Sequence, residues 1–174
     1  MAYTAEDIKS LREETGCGVI DCKKALEESN GNRDKAKDLL RKRGLEMALK
    51  KGDREAKEGR VESYIHNGSK IGVIVEVNCE TDFVARSEDF IKFSKDLAMH
   101  IAAMSPRYLK KEDIPADVLA KEPNQADYVK QVCLLEQPFV RDAGKSIQDY
   151  LNELVAKIRE NIRVSRFVRF KVGE

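Results

Sequence analysis

Near residue 60 the apolar residues of this chain change their spacing, and the change fixes the order of its architecture. Before that point they recur at helical intervals. Beyond it they alternate, as they do along a strand with one buried face. Thr4 is placed to cap a first helix, with Glu6 and Asp7 in the first turn, where the helix dipole favours acids. Ile8 and Leu11 form its apolar face, and Gly16 and Gly18 break it. A second helix carries Val19, Ile20, Ala25 and Leu26 and ends at Ser29-Asn30-Gly31. Asn32 is placed to cap a third. There Ala36, Leu39 and Leu40 fall at i, i+3 and i+4, and Gly44 is expected to stop it. Helices this short are marginal alone, so a three-helix bundle is the economical solution.

The charged run KKGDREAKEGR reads as a linker, after Leu45, Ala48 and Leu49 at helical spacing. Val61, Ser63 and Ile65 then alternate with Glu62 and Tyr64, and Ile71, Val73, Val75 and Val77 alternate over one face. His66-Asn67-Gly68 lies between the two runs, and Asn-Gly there signals a hairpin. Phe90, Phe93, Leu97 and Ile101 mark a helix that ends at Ser105-Pro106. Residues 107–127 read as loop with one short helix, and Cys133 to Val140 as a short irregular strand that Pro138 keeps from full pairing. Ser146 with Asp149 resembles a capping box for a helix whose face is Ile147, Leu151, Leu154 and Ile158. Val168, Phe170 and Val172 close the chain as a strand. The expected fold is α+β: three helices over residues 1–45, a charged linker over 46–60, and over 61–174 an antiparallel sheet with helices packed on one face.

The 174 residues carry 32 Lys and Arg against 31 Asp and Glu, a net charge of +1. A dedicated nucleic-acid binder carries a clear basic excess, so no direct nucleic acid is expected. A surface of mixed sign suits a protein that docks on another protein. No stretch approaches the roughly 20 apolar residues that span a bilayer. The first residues lack the basic and apolar regions of a secretory signal, so the expected compartment is the cytoplasm. Cys17, Cys22, Cys79 and Cys133 lack the spacing of a zinc site and are read as reduced thiols.

The chain contains no phosphate-binding GxxxxGK[ST], no GxSxG and no HExxH. His66 stands beside a turn and His100 on a helix, each in an ordinary surface or core role. No metal, cofactor or catalytic residue is expected. Arg163, Arg166, Arg169 and Lys171, interleaved with Phe167 and Phe170, leave two readings: a surface for single-stranded RNA, or an edge strand whose charges prevent aggregation.

Two stretches carry a resemblance. Leu11 to Leu26, LREETGCGVIDCKKAL, is similar to the signature LR-x-x-TG-x-G-x-x-DCKKAL of the elongation factor Ts family, and Val77 to Arg86, VNCETDFVAR, is similar to its VNC-[EQ]-TDFVA-[KR]. LLEQPFV at 134–140 also resembles the family. The chain departs from the pattern at Val19-Ile20, where the family has Met-Met, and is short between Ala120 and Val132.

The resemblance implies a three-helix module of the ubiquitin-associated type, a linker and one copy of the α+β core. It also implies a guanine nucleotide exchange factor that acts without covalent chemistry on elongation factor Tu, in GDP-bound and nucleotide-free states, as a homodimer. In the family the pair matching Asp82-Phe83 intrudes between helices of the GTPase domain near its Mg²⁺. Thr81, Asp82, Phe83 and Val84 are therefore the expected exchange wedge, and Lys9, Arg12, Val19, Ile20 and Lys23 the expected N-terminal docking residues. Read without the resemblance, Phe83, Val19 and Ile20 fit core packing better than an exposed docking surface. The alternative function is a ubiquitin-associated-type adaptor without exchange activity, which accounts for the first 45 residues and leaves the TDFVAR motif unexplained.

Overall fold

The computed structural model describes residues 3–174. They divide into two compact units: the chain up to Arg54 with Asn152–Asn161, and Glu55–Leu151 with Ile162–Glu174.

The first unit is built on three helices, α1 (Ala5–Thr15), α2 (Val19–Glu28) and α3 (Arg33–Lys51). Thr4 and Asp7 close the capping box at the start of α1: Asp7 N–H donates to Thr4 Oγ1 at 3.2 Å, and Thr4 N–H to Asp7 Oδ2 at 2.7 Å. The N–H of Gly16 closes α1 on Arg12 O at 2.8 Å. Asn32 Oδ1 accepts from Lys35 N–H at 3.0 Å and starts α3. Leu11, Cys22, Ala25, Leu26, Ala36 and Leu40 form the core, with Tyr3, Ile8, Cys17 and Leu39 packed around it.

Gly44 does not stop the third helix, which runs on to Lys51. It is buried there, and a Cβ on Gly44 would stand in van der Waals contact with its neighbours, 3.4 Å from both Ala156 Cβ and Asn152 O. Gly44 lies at this packed position at the known helix cost of about 1 kcal/mol relative to Ala. Asn161 donates to Gly52 O and Arg54 O just past the end of α3.

The second unit holds a three-stranded antiparallel sheet in the order β1 (Glu58–Ile65), β2 (Ile71–Cys79), β5 (Arg163–Lys171). The β1–β2 loop is longer than a two-residue turn. His66 N–H reaches Ile71 O at 2.9 Å, with Gly68 and Ser69 both at positive φ. Val73, Val75 and Val77 of β2 are buried against α5 (Glu88–Met104) through Phe90, Phe93, Leu97 and Ile101. Ser87 caps α5, accepting from Phe90 N–H.

Beyond α5 come two short helices, α6 (Ala116–Leu119) and α7 (Gln125–Val132), so the 107–127 segment has more helix than its polarity suggests. Ile114, Val129, Val132 and Cys133 anchor it. The expected irregular strand from Cys133 to Val140 is instead a 3-10 turn at Leu134–Glu136 followed by β3, only Pro138–Phe139, paired with β4 (Asp142–Ser146). The reason is Gln137, whose side chain turns inward, donating to Gln131 O at 2.6 Å and accepting from His100. The last helix, α8 (Ile147–Ile158), opens on the Ser146–Asp149 capping box.

Candidate functional site

The TDFV stretch forms one helical turn, α4 (Asp82–Ala85), between the end of β2 and the start of α5. A helix of four residues does not persist alone. Here its ends are held by side chains: Thr81 Oγ1 accepts from Val84 N–H at 3.4 Å, and Ser87 Oγ donates to Val84 O at 2.8 Å. Ala85 packs inward. Phe83 points the other way and is 82% exposed. The ring stands in water beside a core that it does not join. Asp82 lies beside it, with Arg86 Nη2 at 2.9 Å from Asp82 Oδ2. The structure thus brings Thr81, Asp82, Phe83 and Val84 together on a single turn.

The second expected group lies in the other unit. Lys9 and Arg12 are exposed on α1, and Val19, Ile20 and Lys23 on the first turns of α2. Val19 is 54% and Ile20 68% exposed, so neither is bundle core. The N-cap of α2 is Gly18, which makes no side-chain cap bond, and the two branched residues follow it directly into solvent. The cations have only loose partners, Lys9 with Glu6 at 4.0 Å and Lys23 with Glu27 at 3.9 Å. Burial raises the Cys22 thiol pKa, with the Thr15 hydroxyl and, more weakly, the Arg12 guanidinium pulling it back.

Residues just before the TDFV turn also hold it in place. Cys79 Sγ donates to Thr81 O at 3.1 Å, and Asn78 is buried at the end of β2. The i, i+4 spacing of Asp82 and Arg86 is the sequence signal for their ion pair; no pattern in the sequence announces the Cys79 bond.

Among the described residues no group of three or more His, Cys, Asp or Glu is arranged to hold a metal. Cys133 is wholly buried, which pushes its thiol up to about 11 and keeps it from the surface where a bridge between chains would form. The cations of β5 are engaged: Arg166 with Glu76 at 2.7 Å, Arg169 and Lys171 with Glu174 at 3.1 and 2.6 Å, and Arg163 with Ala56 O at 3.3 Å. β5 is an edge strand of the sheet. No helix among the described residues is long and apolar enough to cross a membrane.

Comparison with known proteins agrees with the motifs. The sequence model of the family Elongation factor TS matches residues 6–127 and 124–174. The two matched segments overlap at residues 124–127. Elongation factor Ts of Geotalea uraniireducens (strain Rf4) is 50% identical over 197 aligned positions, covering 100% of this chain and 91% of the relative. That of Thermodesulfovibrio yellowstonii is 50% identical over 196 positions, covering 100% of this chain and 98% of the relative. That of Carboxydothermus hydrogenoformans is 47% identical over 194 positions, covering 98% and 89%. With the family profile matched along nearly its whole length and half its residues shared with such relatives, this chain belongs to the elongation factor Ts family.

Proposed function

We propose that this chain promotes release of GDP from elongation factor Tu by inserting Phe83 and Asp82 beside the Mg²⁺ and phosphate site of the GTPase, while Lys9, Arg12, Val19, Ile20 and Lys23 of the N-terminal module dock on the same domain. The exchange role follows from membership of the elongation factor Ts family. The assignment to Asp82-Phe83 rests on one observation above the others: Phe83 is 82% exposed on a turn fixed at both ends.

A GTPase holds its nucleotide through backbone amides of the phosphate loop and a bridging Mg²⁺. An exchange factor works by binding the nucleotide-free state more tightly than the GDP-bound one. The coupling is reciprocal, so what weakens GDP is itself weakened by GDP. Phe83 supplies a rigid apolar body with little rotamer freedom to lose, and Asp82 a carboxylate for donors near the metal. No bond is made or broken, so the chain acts as a binding factor and needs no cofactor; its partner, a translation factor, supports a cytoplasmic setting for that action.

The same reading includes a homodimer. On the sheet face away from α5, Val61 and Ile65 of β1, Ile74 of β2, and Val168 and Phe170 of β5 are all exposed. The registers Ile74↔Val168, Ile65↔Gly72 and Gly72↔Phe170 gather Ile65, Ile74, Val168 and Phe170 into one patch, while Val61 stands opposite Glu76. An apolar patch of this kind, bordered by the Glu76–Arg166 pair, offers a second copy a surface to pack on at the ~10 Å spacing of stacked sheets.

The test is the release rate of a fluorescent GDP from elongation factor Tu. Wild-type protein accelerates release, and Phe83→Ala lowers the maximal rate by about 30-fold or more, the effect of truncating a central aromatic anchor. Arg12→Ala and Val19→Ala raise the half-saturating concentration instead. Full exchange by a folded Phe83→Ala protein removes the wedge assignment. No acceleration by wild type removes the function, and ubiquitin pulldown then tests the adaptor alternative.

A further inference from the structure

The wedge turn is only as firm as what holds it, and its support begins two residues before it. Asn78 and Cys79 are the last residues of β2, and both are buried. Asn78 Nδ2 donates to Glu58 O, at the first residue of β1, at 3.2 Å. On its other side Ser165 Oγ, from the third residue of β5, donates to Asn78 Oδ1. One side chain thus ties all three strands together at the end of the sheet from which the wedge departs. The strands approach closely there. Gly59, paired with Asn78, has φ +149, and a Cβ on it would lie 2.3 Å from Val77 O and 2.7 Å from Asn78 Cα.

Cys79 carries the connection forward. Its Sγ donates to Thr81 O at 3.1 Å, the carbonyl that also accepts Ala85 N–H at 3.3 Å to close the α4 turn. The path from sheet to ring is Asn78, Cys79, Thr81, Phe83. Sheet stability does not call for this chemistry, since apolar side chains of similar size at buried strand positions are close to neutral when both partners of a hydrogen bond are replaced. A polar network that is fully satisfied rigidifies instead.

We propose that Asn78 and Cys79 are positioning residues for exchange, forming a clamp at the sheet end that fixes the Thr81 carbonyl and so the direction in which Phe83 enters the GTPase. The inference rests on the wedge assignment. The clamp acts on the maximal rate and not on docking: a ring that leans away under load displaces its partner less, because errors of about 1 Å in positioned groups cost up to 100-fold.

The experiment measures fluorescent GDP release from elongation factor Tu against factor concentration, for Cys79→Ala, Cys79→Ser, Ser165→Ala and Phe83→Ala. The clamp predicts a maximal rate lowered about tenfold in Cys79→Ala and about threefold in Ser165→Ala, with the half-saturating concentration within about twofold of wild type. Cys79→Ser, which keeps a donor for Thr81 O, restores most of the rate. Amide exchange at Ala85 in the free protein is faster in Cys79→Ala than in wild type. Where Cys79→Ala fails to fold, Ser165→Ala decides, because its hydroxyl lies on an edge strand and is half-buried. Unchanged maximal rates in folded Cys79→Ala and Ser165→Ala, with Phe83→Ala slow, overturn the clamp and leave the wedge standing. An equal loss in Cys79→Ser and Cys79→Ala overturns the thiol's role. Full activity in Phe83→Ala overturns the wedge itself.

Discussion

Arg86 Nη2 stands 2.9 Å from Asp82 Oδ2, across the single helical turn that presents Phe83. The carboxylate proposed to approach a metal site is thus already paired within its own turn. Both side chains are well exposed, 79% for Arg86 and 44% for Asp82, so water and salt screen the attraction. Exposed pairs at this spacing contribute about 0.3–0.5 kcal/mol. Arg86→Ala is expected to leave the thermal midpoint within about 2 °C of wild type. A larger drop in thermal denaturation would show that Arg86 supports the turn through packing.

Gly59 and Gly68 both have positive φ, and they predict opposite tolerance. At Gly59 an added Cβ meets backbone at 2.3 Å, whereas at Gly68 nothing lies within 4 Å. Gly59→Ala is expected to cost about 3 kcal/mol or more, because backbone strain and overpacking add. Gly68→Ala meets only the left-handed conformational cost of about 1 kcal/mol. Urea unfolding of the two variants against wild type measures the difference.

His100 is wholly buried, with Val140 N–H donating to its Nδ1 at 3.3 Å and Nε2 facing Gln137 Oε1 at 3.0 Å. Nδ1 must then be an acceptor, so Nε2 carries the proton and the ring is neutral. Burial lowers its pKa, while the Gln137 bond opposes the shift. The unfolded chain takes up this proton more readily than the folded one. The His100 contribution is therefore constant above about pH 7 and falls as pH drops below about 6.5, by at most about 1.4 kcal/mol per pH unit for one proton. Glu14 and Glu76, whose pKa values are lowered by their cationic partners, lose their contribution only below the ordinary carboxylate range. Urea midpoints at pH 7.5 and 5.5 isolate the His100 effect, and His100→Phe should flatten that interval while lowering stability at pH 7.5 by about 2 kcal/mol for the unpaired Gln137 and Val140 groups.

The outer sheet face gives the fourth prediction. Ile74 is 47% exposed at its centre, on the middle strand. Ile74→Lys removes little burial within one chain, so the monomer's stability is expected to change by less than about 1 kcal/mol. Placed between two copies, the same ammonium would be buried without a partner, which costs several kcal/mol. Sedimentation equilibrium is expected to give a dimer for wild type and a monomer for Ile74→Lys. A wild-type monomer would assign the face to something other than a second copy.

Local signals were sufficient wherever a segment's partners lie within a few residues. Thr4 with Asp7, Asn32 with Lys35, Ser146 with Asp149, and the alternation of Val73, Val75 and Val77 each determine an element through contacts one turn or one pleat away. The TDFV motif likewise determined, by resemblance, which residues form the candidate wedge. Contacts distant in sequence decided the rest. Gly44 looked like a helix stop, yet the helix runs on through it, packed against Asn152 and Ala156, more than a hundred residues on. Cys133 to Val140 looked like a strand, but burial of Gln137 against His100 folded it into a turn. Val19 and Ile20 fit a bundle core by composition, and only the packing of Leu11, Ala25 and Leu26 shows that the core is complete without them. A periodicity states that a side chain is apolar and on which face it stands. Whether that face meets protein or water depends on which distant elements pack against it, and that is settled only when the tertiary structure forms.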